Sequence, residues 1–229
     1  MVAEESMEKR KIFWVLLTMI LAIILLLLVV KFVFKTEKIN EGKFRVSDVI
    51  LTSTAEITDK TKKNATWSLN VSQKNLLSIL INAGSEANIS RIYLSDLRVT
   101  KGKNIVFYLL NSENRIELNR KKQELDLEYE LDEENNIKFE FVALNENIMK
   151  NWVVPDTINE IICDGRIFEK AQISVGDLKY TLKFKLNIVE ANGKTNTLKV
   201  SLDMPNEELV INGADVRRLS TNTFKFKVK

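Results

Sequence analysis

The chain has 229 residues, 45% of them apolar, and its 34 basic and 31 acidic side chains leave a formal net charge of +3. This composition is typical of a folded chain, and the interleaved charges predict no nucleic-acid partner, which would need a clustered basic face. Histidine is absent and Cys163 is the only cysteine, which excludes an intrachain disulfide, histidine-containing zinc sites and nucleophiles activated by histidine.

The first predicted element is an apolar segment, residues 12–30, which contains no charged residue, glycine or proline. As a helix rising about 1.5 Å per residue it would be roughly 28 Å long, close to the ~30 Å hydrocarbon core of a bilayer. We therefore predict a single-pass transmembrane helix that serves as a signal-anchor. A cleaved signal peptide is the alternative, but the segment exceeds the usual ~7–15 apolar residues and no A-x-A-like site follows it.

The charges that flank this segment nearly balance, with three basic residues on each side: Lys9, Arg10 and Lys11 before it, and Lys31, Lys35 and Lys38 after it. A short tail followed by one anchor and a large domain usually leaves the tail in the cytoplasm. We predict a cytoplasmic tail (1–11), the transmembrane helix (12–30), a short juxtamembrane linker (31–43) and an extracytoplasmic domain (44–229). The localisation expected is the cell membrane, with the domain close to the bilayer.

Alternation of apolar and polar residues dominates the domain. It predicts a hairpin from 125–131 and 137–141 around "DEENN", and a second from 180–188 and 198–204 around Asn192-Gly193. Weaker strands are predicted at 44–52, 92–100, 105–110, 116–118 and 224–228. Strands that alternate in this way bury one face and expose the other, which favours antiparallel sheet.

Two helices are predicted to interrupt the strands. In "VSQKNLLSILI", Ser72 can cap a helix over 73–82 that ends at Gly84 and places Leu76, Leu77, Leu80 and Ile81 on one face. The second helix follows Pro155, with Asp156 as its cap, and ends at Gly165. Residues 145–152 are predicted to add a helical turn before it. The predicted fold class is α+β, with an N-terminal transmembrane helix followed by one mainly antiparallel β domain with two or three short helices.

Few groups in the chain suggest chemistry. The largest carboxylate cluster, Glu124, Asp126, Glu128 and Glu130, has the spacing of a solvated strand face, and "DEENN" lacks the glycine and terminal glutamate of a calcium loop. No nucleophile elbow or phosphate-binding glycine loop is present. We therefore predict no catalytic residue, no metal site, no cofactor and no enzymatic activity.

The order of anchor, strand, "VSQKNLLSILI", and strands with "NWVVPDTINEII" resembles the YpmS-type family of single-pass bacterial envelope proteins. It is also similar in layout to small bacterial lipoproteins with half of a BPI-like, tubular lipid-binding fold. Ser72, Leu76 and Pro155 match, whereas Leu77 stands where the family has Asn. The resemblance implies a curved antiparallel sheet around an amphipathic helix, with a groove for an acyl chain whose expected lining is Leu76, Leu77, Leu80, Ile81 and Trp152.

Two functions are consistent with these features. The first is a membrane-anchored, extracytoplasmic binding or scaffold protein of the bacterial cell envelope, without catalysis. The alternative is a lipid-binding or lipid-shuttling module that uses the groove between helix and curved sheet. The expected partners are the membrane and a lipid or an envelope protein.

Overall fold

The computed structural model describes residues 43–101, 104–110, 112, 114–120, 123–155, 166–204 and 208–228. These residues form the strands β1 (Phe44–Lys63), β2 (Thr66–Ala83), β3 (Ile89–Thr100), β4 (Ile105–Leu109), β5 (Glu124–Asp126), β6 (Asn136–Pro155), β7 (Tyr180–Glu190), β8 (Thr195–Met204), β9 (Ala214–Arg218) and β10 (Phe226–Val228). The helices are α1 (Ile167–Lys170), α2 (Val175–Leu178) and α3 (Glu208–Asn212), together with a 3-10 turn at Thr221–Thr223.

The described strands form two five-stranded sheets. The first sheet has the order β4-β6-β2-β1-β9, and the second has the order β10-β8-β7-β3-β5. Every described pair of neighbouring strands is antiparallel. The antiparallel arrangement predicted from the alternating residues is therefore confirmed.

The inner faces of the two sheets pack on each other as a sandwich. Phe141 of β6 stacks on Phe107 of β4, with ring centroids 5.6 Å apart, and meets Phe184 of β7 edge-on at 5.5 Å. Since Phe184 belongs to the second sheet, these rings join the sheets directly. The large apolar cluster around them draws residues from both sheets and fills the space between them.

The predicted fold class is wrong in its helical part. The described residues form a mainly antiparallel β structure whose three α-helices span only four or five residues each. Among the described residues, no helix has the length and apolar character needed to cross a membrane. This finding contradicts the predicted single-pass transmembrane helix. Residues 12–30, and the helix predicted after Pro155, lie outside the described residues.

The helix predicted over 73–82 is also wrong, because the segment lies within β2, an 18-residue strand between β1 and β6. The pattern was ambiguous. Leu76, Leu77, Leu80 and Ile81 fit one helical face, but they equally fit a strand that carries apolar side chains on both faces. Pairing along both edges of β2 decides between the two. Residues 145–152, predicted as a helical turn, belong to β6.

Of the two predicted hairpins, the second is confirmed. β7 and β8 pair from Tyr180 with Met204 to Val189 with Thr195, and Gly193 takes a φ of +84° in the connecting turn. The first is wrong, because β5 pairs with β3 in the second sheet while β6 joins the first sheet. Alternation identifies strands without specifying their partners, and "DEENN" in fact links the two sheets.

The long strands β1, β2 and β6 continue beyond the residues that face the second sheet. We call their terminal parts, residues 57–63, 66–71 and 149–155, the arm. At its base, Val71 and Met149 pack on a separate apolar cluster formed with the three helices. The helix residues of this cluster are Ile167, Phe168, Leu178, Leu209 and Val210, and Ala171 and Ile173 between α1 and α2 also belong to it.

Asparagines shape the arm at irregular positions of the sheet. The register shifts between Leu69 and Val71, and again between Val71 and Gln73. On β6, Asn147 and Asn151 have positive φ angles of 51° and 53°, a conformation that asparagine tolerates better than most residues. Irregularities of this kind increase strand twist. They therefore set the direction in which the arm leaves the sandwich.

An ion pair between a partly exposed lysine and a buried glutamate fixes the start of β1. The Glu190 side chain is 3% exposed and accepts hydrogen bonds from Lys43 Nζ at 2.8 Å and from Asn196 Nδ2 at 2.9 Å. The hydrogen bond from Lys43 is the main cause that lowers the pKa of Glu190 below its ordinary value of 4.5; burial opposes it and Asn196 adds to it. A carboxylate with a lowered pKa stabilises the fold above its unfolded-state pKa, and this contribution is lost as the pH falls through the folded-state value.

We expect Lys43→Met to lower the free energy of unfolding by about 1 kcal/mol at pH 7, since the lysine is partly exposed and the pair is screened. The difference from the wild type should shrink as the pH falls below the ordinary glutamate pKa. Urea denaturation between neutral and acidic pH measures both quantities. Lys183→Met, at an exposed position of β7, is the control and should change neither. A deficit for Lys43→Met that stays constant with pH would contradict the assignment.

Candidate functional site

The structure divides the residues predicted to line a groove. Leu77 and Ile81 are at most 1% exposed and lie in the core between the sheets, whereas Leu76 and Leu80 are half-buried on the opposite face of β2. Trp152 is far along β6, opposite Leu69 in the arm. Side chains on opposite faces of one strand cannot line a common groove, so the structure does not bring these five residues together.

Leu80 borders an open cleft on the outer surface. The cleft has a volume of about 780 Å³, and Tyr129, Leu131 and Lys138 line it together with the carboxylates of Glu128, Glu130 and Asp132. Asp132 accepts hydrogen bonds from the backbone N–H groups of Asn136 and Glu134, at 2.7 and 2.9 Å. The bond from the Asn136 backbone is the main cause that lowers the pKa of this carboxyl. Asp132 therefore caps the start of the turn that leads into β6.

The other two members of the carboxylate cluster, Glu124 and Asp126, are paired with a neighbouring arginine. Arg91 of β3 donates to Asp126 at 2.6 Å and to Glu124 at 3.0 Å, and its guanidinium also lies over the ring of Tyr93. Among the described residues, no group of three or more acidic or cysteine side chains is placed to hold a metal ion. Glu124 and Asp126 thus form cross-strand ion pairs at the edge of the second sheet.

A buried polar network marks the boundary between the sandwich core and the base of the arm. Asn75 lies at its centre: its Oδ1 accepts from Ser53 Oγ at 2.6 Å and Gln73 Nε2 at 3.2 Å, and its Nδ2 donates to Tyr180 Oη at 2.6 Å. The Tyr180 hydroxyl donates onward to the carbonyl of Ala143. Burial raises the pKa of Tyr180, against the opposing effect of the Asn75 hydrogen bond, so the phenol stays protonated and can donate.

The basic residues near the C-terminus are dispersed. Arg217 pairs with Asp215 at 3.1 Å, and Arg218 pairs with Asp48 at 2.8 Å. Lys225 is exposed at the other sheet. Arginines held by neighbouring carboxylates have much of their charge compensated, so these positions do not form a joint anion-binding surface.

The end of the arm carries basic, aromatic and aliphatic side chains on its two faces, and we call this set the arm tip: Lys60, Lys62, Lys63, Trp67, Lys150, Trp152 and Val153. Lys62 is the direct cross-strand partner of Trp67. The Nζ atoms of Lys62 and Lys60 lie 5.3 and 5.6 Å from the centroid of this ring, which is the distance range of cation–π interactions. The ring is half-buried while all four lysines are exposed. The arrangement can present positive charge and aromatic surface to one ligand.

The two tryptophan rings of the arm tip pack on apolar side chains. Leu69 and Val154 are buried against Trp67, Trp152 and Ile57, so the rings stand on a packed base. On the other face of the sheet, Val153 is 64% exposed beside Ser68. The tip therefore combines a fixed aromatic layer with an exposed aliphatic side chain.

Sequence reasoning missed this surface. A signal was available, because Asn64-Ala65 is the two-residue turn of the β1–β2 hairpin and Asn64 has a φ of 53°. Had the hairpin been recognised, its register would have placed Lys62 opposite Trp67. The prediction of a helix over 73–82 removed β2 as a partner for β1, and the juxtaposition was lost with it.

Comparison with protein families, with curated proteins and with solved structures finds no match to this chain. Its function is therefore inferred from the arrangement of its own residues.

Proposed function

We propose that this chain is a non-enzymatic binding or scaffold protein of the bacterial cell envelope, whose β domain acts outside the cytoplasm next to the membrane. The observation that supports the proposal is the arm tip. Three paired strands carry four exposed lysines, two tryptophan rings and an exposed valine beyond the sandwich. A site built on paired strands is held more firmly than one on a loop, which suits a surface that must meet another molecule in a fixed orientation.

The groove alternative gains no comparable support. It requires a helix over a curved sheet, and the segment assigned to that helix is a central strand. The binding and scaffold function is therefore the one that the described geometry favours.

Photo-crosslinking in cells tests this function. A photoreactive amino acid replaces Lys63 at the arm tip of the full chain, and Lys183 on β7 serves as the matched exposed control. We expect adducts, detected as mass shifts on the purified protein, from position 63 and few from position 183. Adducts formed equally at both positions, or at neither, would contradict a binding role for the arm.

A further inference from the structure

We propose that the arm tip binds the phosphate headgroups of an anionic lipid bilayer. The inference rests on the proposed function, since it names the partner of the same surface. It concerns residues 57–63, 66–71 and 149–155 alone and requires no cavity in the domain.

Charge is the first argument. The described arm carries four lysines, Lys60, Lys62, Lys63 and Lys150, and one acidic residue, Asp59, and all five side chains are exposed. Each basic side chain near an anionic membrane surface strengthens binding by about fivefold. Basic residues therefore outnumber acidic ones in the described arm, which favours anionic over zwitterionic lipid.

The two tryptophans are the second argument. Trp67 lies beneath Lys60 and Lys62, and Trp152 lies on the same face of the sheet, opposite Leu69. Tryptophan favours the membrane–water interface because its ring is apolar while its N–H group remains polar. Packing of both rings against Leu69 and Val154 keeps them at the level of the lysines.

The apolar component distinguishes a bilayer from a soluble anionic polymer. Val153, 64% exposed on the opposite face of the same thin sheet, can enter the boundary between headgroups and acyl chains. A polymer of phosphates offers lysines a partner but gives an exposed valine and two indole rings nothing comparable. The combination of side chains fits a lipid surface best.

Tryptophan fluorescence tests the proposal on the full chain. The sequence has three tryptophans, so Trp14→Phe leaves Trp67 and Trp152 as the reporters. Vesicles are prepared from phosphatidylcholine with and without phosphatidylglycerol, using lipids with brominated acyl chains that quench nearby indoles. We expect strong quenching only with phosphatidylglycerol, weakened by high salt because the interaction is electrostatic.

Two triple variants in this background separate the arm from general charge effects. Lys60→Ser, Lys62→Ser and Lys63→Ser together should weaken binding to the anionic vesicles by about 100-fold, following the fivefold effect of each lysine. The matched control, Lys179→Ser, Lys183→Ser and Lys225→Ser, removes the same charge from exposed positions of the sandwich and should stay within about twofold of the parent. Since all variants share the first 42 residues, a difference between them arises in the β domain. Thermal unfolding checks that both triple variants fold.

Equal quenching in pure phosphatidylcholine, or unchanged binding by the arm variant, would overturn the proposal. So would a tip that binds soluble polyphosphate but shows no quenching by anionic vesicles, because the occupant would then be a polymer. Adducts at position 63 to a protein, with no quenching by lipid, would refute the lipid partner while leaving the binding and scaffold function intact.

Discussion

Leu77→Asp is expected to destabilise the protein severely, whereas Leu76→Asp should have a much smaller effect. Leu77 is 1% exposed in the core between the sheets, and an aspartate there would bury a charge or force its protonation among apolar side chains. We expect a loss of about 4 kcal/mol or more, which is a large part of the stability of a typical domain, about 5–15 kcal/mol. Leu76 is half-buried on the outer face, where aspartate can reach water, and the expected loss is about 1 kcal/mol.

The comparison is sharp because the two residues are neighbours in sequence. A helix over 73–82 would place both on the same buried face and make both substitutions severe. In a strand the two side chains point to opposite faces, so only the substitution at Leu77 should be severe. Circular dichroism and urea denaturation of the two variants measure the difference. Similar losses of stability at both positions would contradict the strand assignment.

Asn75→Ala is expected to destabilise the domain by about 3 kcal/mol, the second large effect. The substitution removes the acceptor of Ser53 and Gln73 and the donor to Tyr180 at once. All of these groups are buried, and a buried polar group without a partner costs about 1–3 kcal/mol. Asn222→Ala, at an exposed position of the 3-10 turn, should change stability by less than about 0.5 kcal/mol.

A double-mutant cycle identifies the hydrogen bond within this network. Tyr180→Phe alone removes the hydroxyl that accepts from Asn75 and donates to Ala143. If the groups act as one network, the loss for the double variant falls short of the sum of the single losses by about 1 kcal/mol. Strict additivity, measured by urea denaturation of the four proteins, would show that Asn75 and Tyr180 act independently.

The sequence predicts the structure well where a local pattern has one interpretation. β7 and β8 alternate cleanly, and Asn192-Gly193 supplies the backbone conformation of a tight hairpin turn. The sequence predicts strand pairing less well where the paired strands are distant in the chain. Glu124–Asp126 reads as a strand, but only tertiary packing shows that it pairs with β3 across the sandwich from β6.

The failure at β2 has a specific physical cause. Leu76 and Leu80 are apolar although they lie on the outer face, and the interruptions of the register at Val71 obscure the two-residue period on the N-terminal side. Periodicity therefore favoured a helix, and the pairing energy of two neighbouring strands overrode it. Of the five residues predicted to line a groove, Trp152 alone lies in the arm tip, where it packs on Leu69 and Val154 and not on the predicted leucines.

The polar network around Asn75 also bears on how the domain opens. It interrupts the apolar contacts along β2, with the sandwich core on one side and the cluster of α1, α2 and α3 on the other. Apolar clusters separated in this way behave as distinct cooperative units, and local unfolding can cross one without disturbing the other. We therefore expect the arm and the helix cluster to open at a lower free energy than the core between the two sheets. Local opening at the contact surface would then not require unfolding of the whole domain.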